Sequence, residues 1–578
     1  MAGVIMGNIF KNLTSLITYK HKKEVQKFYI PEVNKNSENT GYNYDSLSIK
    51  NGSKQNNGDK IQADIDSNIK FIQQEFHYPV NKDIVIRKIK IAGKYNAFIA
   101  YLNGAVDNNL VNNFILRPLL NYKIENESKD QEENNLNTGK KQEKINFILN
   151  NVVEINDMKV VNKFKDVIYQ IISGNTAMYI DGCNYYGAYG TKGFEKRLVN
   201  TPQTEGSVKG SYEAFTENLS TNVGLIRKLV KNKDLITEKL RVGDSNNNEC
   251  AIMYIEGITN PAIVQEVKRR INSIKTDFIS GTGMLGEYIA DNTWSLIPTV
   301  LSTERSDRTC YYIMEGRVAL ICNGTPYVII LPITFFTLFH TSEDYILKWQ
   351  FGFLLRTVRV FGIIISLLLP GVYVALINYH QEMIPSSLLI SIARSREEVP
   401  FPTIVEVIFM EISFELIREA GIRIPGILGN TIGIVGALII GQAAVQASII
   451  SPILIIVISF TVLGNYSIPD FSLTYGTRII RLSFILLGYV LGLLGICIGI
   501  VSYITILINL KSFGVPFLSN FPPKTRKSKD TVVNYPVWKQ DFRPDELNTM
   551  DSKRQPEVSR GWINEDANVE ENSKNKHI

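Results

Sequence analysis

No Asp, Glu, Lys or Arg occurs between Ile424 and Pro469, a run of more than forty residues in a chain whose charged fraction is 20%. That absence excludes an ordinary soluble element there, because about 20 apolar residues already suffice to cross a bilayer as a helix. Histidine is scarce: His21, His77, His340, His380 and His577 make up the set, none spaced as metal ligands. The five cysteines (Cys183, Cys250, Cys310, Cys322, Cys497) form no C-x-x-C pair. This argues against a zinc site or a disulfide framework and reads as buried thiols in a reducing compartment. There is no Walker loop, and the net charge of +6 is spread without the concentrated basic face that nucleic-acid binding requires. No nucleophile–base pair stands out, so neither an enzyme nor a cofactor is expected. Met1–Lys27 has only short apolar patches, broken by Lys11, Lys20, Lys22 and Lys23. The expectation is no cleavable signal peptide and a cytoplasmic N-terminal region.

The apolar part is concentrated in the C-terminal third. Val360–Ile377, Thr431–Ile450, Ile453–Asn465 and Leu482–Leu510 are the expected spans, with Pro452 dividing the uncharged run and Pro370 kinking or breaking the first. Arg356 and Arg359 precede the first span, which suits a cytoplasmic edge. Gly433, Ala437 and Gly441 recur every four residues, and Gly488, Gly492, Gly495 and Gly499 form a second small-residue series. Such spacing lets helices approach closely.

The N-terminal part is polar and carries an internal repeat. Phe98–Gly104 and Ile252–Gly257 are each an apolar strand, then Gly, then an amphipathic helical pattern (Leu110, Phe114, Ile115; Ile263, Val264, Val267, Ile271). Ile171–Gly182 parallels Ile313–Gly324, each ending in a hairpin signal, Asp181-Gly182 and Asn323-Gly324. The expected fold is therefore α+β: two similar α/β subdomains followed by an α-helical multi-span membrane domain. The expected boundaries are a disordered polar extension (1–83), the first subdomain (84–199, with a mobile insert at 125–144) and a bridge (200–240). The second subdomain (241–345), the membrane domain (346–517) and a polar, mobile cytoplasmic tail (518–578) follow. Gly281-Thr-Gly283-Met-Leu-Gly286 matches a dinucleotide fingerprint by letter, but its preceding strand is minimal and it reads as a turn into a helix.

Two groups of polar residues are the candidates for function. Glu406, Glu411 and Glu415 lie within an apolar helical pattern through Val405, Phe409, Ile412 and Leu416. Ionisable groups at membrane depth are costly and mark function, whereas pairing of Glu411 and Glu415 with Arg418 on a helix at the interface is the plain alternative. Gln442 and Gln446 share a helix face with Val445 beside them. Amides on lipid are costly, so they must face protein or a hydrated path, either bonding between helices or lining an ion path.

These residues carry a family resemblance. The chain resembles the A subunit of the GerA family of spore germinant receptors at Pro202-Gln-Thr-Glu205, Phe215-Thr-Glu-Asn218, Tyr254-Ile-Glu-Gly257 and Thr303-Glu-Arg-Ser-Asp-Arg308. The match continues at Glu315–Val318, Asn323–Pro326, His380-Gln-Glu-Met-Ile-Pro385, Met410-Glu-Ile-Ser-Phe-Glu415, Arg418–Arg423, Gly441-Gln-Ala-Ala-Val445 and Ser512–Pro516. The Asn- and Lys-rich N-terminal extension, the insert Glu125–Lys144 and the polar tail depart from it. The resemblance implies a receptor in the spore inner membrane, self-associating, with a transporter-like B subunit and a lipoprotein C subunit. It implies triggering by nutrients and release of monovalent cations, with this subunit either conducting ions or acting as a scaffold that couples the signal.

Overall fold

The computed structural model describes residues 61–122, 145–193, 202, 204–207, 209–423, 441–519, 530 and 533–556. The expected insert 125–144, most of the N-terminal extension, Gly433, Ala437 and the end of the tail lie outside the described residues.

Residues 61–83 are not part of a disordered extension. Helix α1 (Ile65–Glu75) opens on Asp64, whose carboxylate accepts from Ser67 N at 2.8 Å, and it buries Ile69 and Ile72. Three apolar residues at helical spacing are enough to seat it on the first sheet although its other positions are polar.

The first sheet contains β1 (Ile84–Ile91), β2 (Tyr95–Leu102), β3 (Met158–Val161), β4 (Thr176–Ile180) and β5 (Tyr186–Tyr189), in the order β1-β2-β4-β5-β3. Every neighbouring pair is antiparallel, and α2 (Phe164–Ile172) packs against it. Helix α3 (Leu219–Leu229) follows and is capped by Asn218, which accepts from Ser220 N and Thr221 N.

The second sheet repeats the plan. Strands β6 (Leu235–Val242), β7 (Asn248–Ile255), β8 (Leu301–Thr303), β9 (Val318–Cys322) and β10 (Val328–Leu331) take the order β6-β7-β9-β10-β8. Helices α4 (Pro261–Asn272), α5 (Thr282–Ile289) and α6 (Ser306–Met314) accompany it. The opening hairpins correspond residue for residue, Ile84↔Leu102 through Ile91↔Tyr95 and Leu235↔Ile255 through Val242↔Asn248. Strand β6 thus begins inside the expected bridge, so the second subdomain starts earlier than 241. Its alternating Ile236, Glu238 and Leu240 hid among charges.

Arg227 of α3 joins the subdomains. Its Nε donates to Asp83 Oδ2 at 2.8 Å, and its Nη2 donates to Asn81, Leu235 O and Thr237. Four cysteines are buried as expected, and Cys250 faces Cys322 across β7 and β9; Cys497 differs, being exposed on an apolar helix.

The helical region contains α7 (Trp349–Tyr379), α8 (Ser386–Arg396), α9 (Thr403–Arg423), α10 (Pro452–Tyr466) and α11 (Phe471–Asn509). Helices α7 and α11 are long and apolar enough to cross a membrane by length and composition. Helix α7 runs through Pro370 without a break. Helix α11 does not run straight. Gly492 has φ 60° and ψ −143°, outside helical space. A Cβ on Gly499 would lie 2.7 Å from the Phe484 ring, and one on Gly495 would lie 2.2 Å from Leu487 O. In a straight helix, fifteen residues separate groups by roughly 22 Å. The chain therefore reverses at Gly492, and 471–491 and 493–509 lie antiparallel. The expected span Leu482–Leu510 is corrected accordingly: Gly492 makes a turn instead of joining a packing face, because a positive φ is open to glycine.

Glycine elsewhere brings backbones together. A Cβ on Gly488 would lie 2.4 Å from Gly371 O, and one on Gly464 would lie 2.6 Å from Gly362 O. A Cβ on Gly441, by contrast, would meet only Ile455 Cδ1, at 4.0 Å, among the described residues. Strands β11 (Lys511–Ser512) and β12 (Val515–Pro516) return the chain to the second subdomain, where Ser512 Oγ donates to Thr299 O at 2.7 Å. The expected mobile tail is docked over 533–556. Leu547 is buried, Arg543 Nε donates to Met314 O, and Met550 N donates to Ile258 O.

Candidate functional site

The acidic helix α9 lies against α7, α10 and α11 with Glu406 and Glu411 buried and Glu415 part-exposed. At its start, Thr403 Oγ1 donates to Asn378 Oδ1 at 3.1 Å, near the end of α7. Glu406 is buried, accepting from Arg396 Nη2 at 3.2 Å and from Ser451 N at 3.1 Å. Further along, Glu411 Oε2 is 2.6 Å from Arg481 Nη2. Glu415 accepts from Arg418 on its own helix and from Arg478 Nη1 at 3.5 Å. Arg481 Nη1 also donates to Ser366 Oγ on α7 at 3.4 Å, and Asn465 Oδ1 accepts from Ser366 and Thr477. A seam of charge thus passes through otherwise apolar helices.

The three acids picked out from the sequence all pair with arginines, of which Arg396, Arg478 and Arg481 were missed. The plain alternative paired Glu411 and Glu415 with Arg418; the structure pairs Glu411 with Arg481 and gives Glu415 a second cation beside Arg418. Arg478 and Arg481 stand just ahead of the expected span Leu482–Leu510. The signal was present: two arginines three apart enter an apolar helix, matching two acids four apart. Breaking one partner of a buried pair costs about 3–5 kcal/mol, far more than the pair adds, so the seam specifies how the helices register.

The glutamines lie elsewhere. Residues 441–446 are helical, and Gln442 and Gln446 are exposed on the outer side, with Val445 half-buried and Ala444 buried. Among the described residues no hydrogen bond joins either amide to another helix.

A second charged knot anchors α7 to the second subdomain. Asp344 has no exposed side-chain surface and accepts from Arg356 Nε and Arg359 Nη1, each at 2.9 Å. Asp530 pairs with Arg356 and accepts from Tyr345 Oη at 2.9 Å. Burial alone would raise the Asp530 carboxyl, but His340 and Arg356 hold it down to about 2. Between the subdomains, a polar cleft of about 1100 Å³ is bordered by Asp107, Lys192, Asn218 and Thr221. Among the described residues, no cluster of three or more His, Cys, Asp or Glu is placed to hold a metal ion.

A duplicated α/β body clamped to apolar helices, themselves stitched by ion pairs, defines a two-part protein with two helices long and apolar enough to cross a membrane. The family model described as Bacillus/Clostridium GerA spore germination protein matches residues 70–546, and the chain belongs to the GerA family. It is 37% identical to spore germination protein KA of Bacillus subtilis (strain 168) over 505 residues, 86% of this chain and 90% of that one. It is 34% identical to spore germination protein GerLA of Bacillus cereus over 499 residues, 86% and 98% of the two chains. It is also 35% identical to the uncharacterized membrane protein YfkQ of Bacillus subtilis (strain 168) over 463 residues, 80% and 87%. Among solved structures, the N-terminal domain of the A subunit of the Bacillus megaterium spore germinant receptor GerK3 aligns with a TM-score of 0.35 at 24% identity, covering 48% of this chain and 97% of that one.

Proposed function

We propose that this chain is the A subunit of a nutrient germinant receptor in the spore inner membrane, and that copies of it assemble into a path for monovalent cations. Membership of the GerA family supports the receptor role. The observation that carries the conducting role is the outward placement of Gln442 and Gln446 on an uncharged helix. An unpaired amide placed in hydrocarbon costs several kcal/mol, so another copy or water suits these groups better than lipid. In this reading Gln442, Val445 and Gln446 border the path, and α9 crosses the membrane with α7, α10 and both halves of α11, its charges neutralised by Arg396, Arg478 and Arg481. A transporter-like B subunit and a lipoprotein C subunit complete the complex. The role is not enzymatic.

Purified chain in liposomes tests the conducting role. Cation flux from this subunit alone is expected, and Val445→Trp is expected to alter it without lowering the amount of folded protein. A second reading, a scaffold that couples the signal, is favoured by the Asp344 knot between the second subdomain and α7. Flux that appears only with the partner subunits, and is indifferent to Val445→Trp, selects that reading.

A further inference from the structure

We infer that the second subdomain carries its own membrane anchor: the loop 291–297, ahead of β8, seats Trp294 and Leu296 in the interfacial layer of the bilayer beside α11. The inference rests on the proposal that α11 spans.

The first turns of α11 pack on the second subdomain, Leu473 lying in one core with Leu301 and Val328 of its sheet, so on the spanning reading they lie where that subdomain meets the bilayer. A Cβ on Gly476 would lie 2.0 Å from Leu296 O. Gly476 is five residues beyond Phe471, or roughly 7–8 Å along the axis. The loop of the soluble subdomain therefore reaches past the start of the helix and lies against it at interfacial depth, a contact that only glycine at 476 leaves room for.

What the loop presents there is apolar. Trp294 is 59% exposed and Leu296 45%, at the level where α11 exposes Phe471 and Tyr475. Indole and phenol rings favour the headgroup boundary, where an apolar body and a polar tip are both satisfied. The loop is also held in place. Ile297 is buried in one core with Ile363, Leu473 and Leu507. Asp291 accepts from Arg270 Nη2 at 2.7 Å and from Phe513 N at 2.6 Å, so the loop's carboxylate reaches the boundary already neutralised. The continuity of this exposed surface with the apolar face of α11 points to lipid as the occupant.

The test uses the full chain with Trp349→Phe, Trp538→Phe and Trp562→Phe, leaving Trp294 as the sole indole, in phosphatidylcholine vesicles with brominated or plain acyl chains. Bromine quenches on contact, so emission is expected to fall about twofold with brominated chains while aqueous iodide has little effect. A parallel chain with Trp294→Phe and Leu486→Trp reports whether α11 spans. If that reporter is quenched by bromine and Trp294 is quenched by iodide instead, the anchor is refuted while the span stands. If Trp294 resists both quenchers, protein covers it and the anchor is likewise refuted. If neither position senses bromine, the spanning reading and the anchor fall together.

Discussion

The two sheets are threaded alike, yet they keep different company. Among the described residues, the first sheet's core is drawn from residues 61–189. The second sheet is packed on both faces, and one of its cores takes in Ile363 of α7 with Leu473 and Leu507 of α11. Its α6 also receives the docked tail, where Arg554 lies over the Tyr311 ring at 4.7 Å. One plan, used twice, thus gives a module that meets the second subdomain through Arg227 and a module that also packs on the helices. A strand order is a solution to burying one sheet's side chains, and it leaves the sheet's outer attachments free to diverge. The Asp344 knot and the β11–β12 hairpin both attach the helices to the second copy.

The sharpest way to break this comparison is at Asp344. Replacing Asp344 by Ala leaves Arg356 and Arg359 buried without their shared carboxylate, at an expected cost of about 3–5 kcal/mol. Thermal melts should show it, together with faster hydrogen exchange at the base of α7 and unchanged exchange in the first sheet. Equal loosening of both sheets would mean that the modules are not separable.

A smaller effect contrasts matched glycines. Gly174 (φ +86°) and Gly316 (φ +97°) stand at the same point of the two copies, just before β4 and β9. Alanine is strained at both, by about 1–2 kcal/mol. At Gly174 its Cβ would also meet Ala105 O at 2.7 Å, which is backbone, whereas at Gly316 it meets Thr549 Cγ2 at 2.6 Å, a side chain that can rotate. Gly174→Ala should therefore lower the melting point more than Gly316→Ala, and adding Thr549→Ala should ease only the latter.

The smallest effect is in acid. Asp530 titrates at about 2 when the tail is docked, below the 3.8 of a free carboxyl. A depressed folded value means that its stabilisation is complete above about pH 4 and is lost as the pH falls through 2. The groups facing it are His340, Tyr311, Tyr345 and Arg356. Limited acid proteolysis should release the segment 533–556 in that window in the native chain. Asp530→Asn should release it to the same degree at every pH.

Legibility followed locality. The hairpins at Asp181-Gly182 and Asn323-Gly324 and helix α4 through Ile263, Val267 and Ile271 could be read because their causes lie within a few residues. Helix α1 was hidden because Ile65, Ile69 and Ile72 are diluted by polar neighbours, and only the sheet they rest on makes them a face. The reversal at Gly492 was hidden because glycine in an apolar run serves close packing and chain reversal equally well. Of the candidate site, the carboxylates and Arg418 were legible as charges out of place in an apolar helix, whereas Arg396, Arg478 and Arg481 were not legible as partners.

The sequence by itself determined that there are two copies of one α/β plan and a greasy C-terminal part with misplaced charges, since periodicity, turn residues and charge-free runs act over one or two turns of chain. Only the tertiary structure decided that Glu411 meets Arg481, that Asp530 closes over Arg356 and that Gln442 and Gln446 turn outward. Those outcomes depend on which helices lie side by side, and a buried charge takes as its partner whichever opposite charge the packing brings within reach, however many residues lie between them.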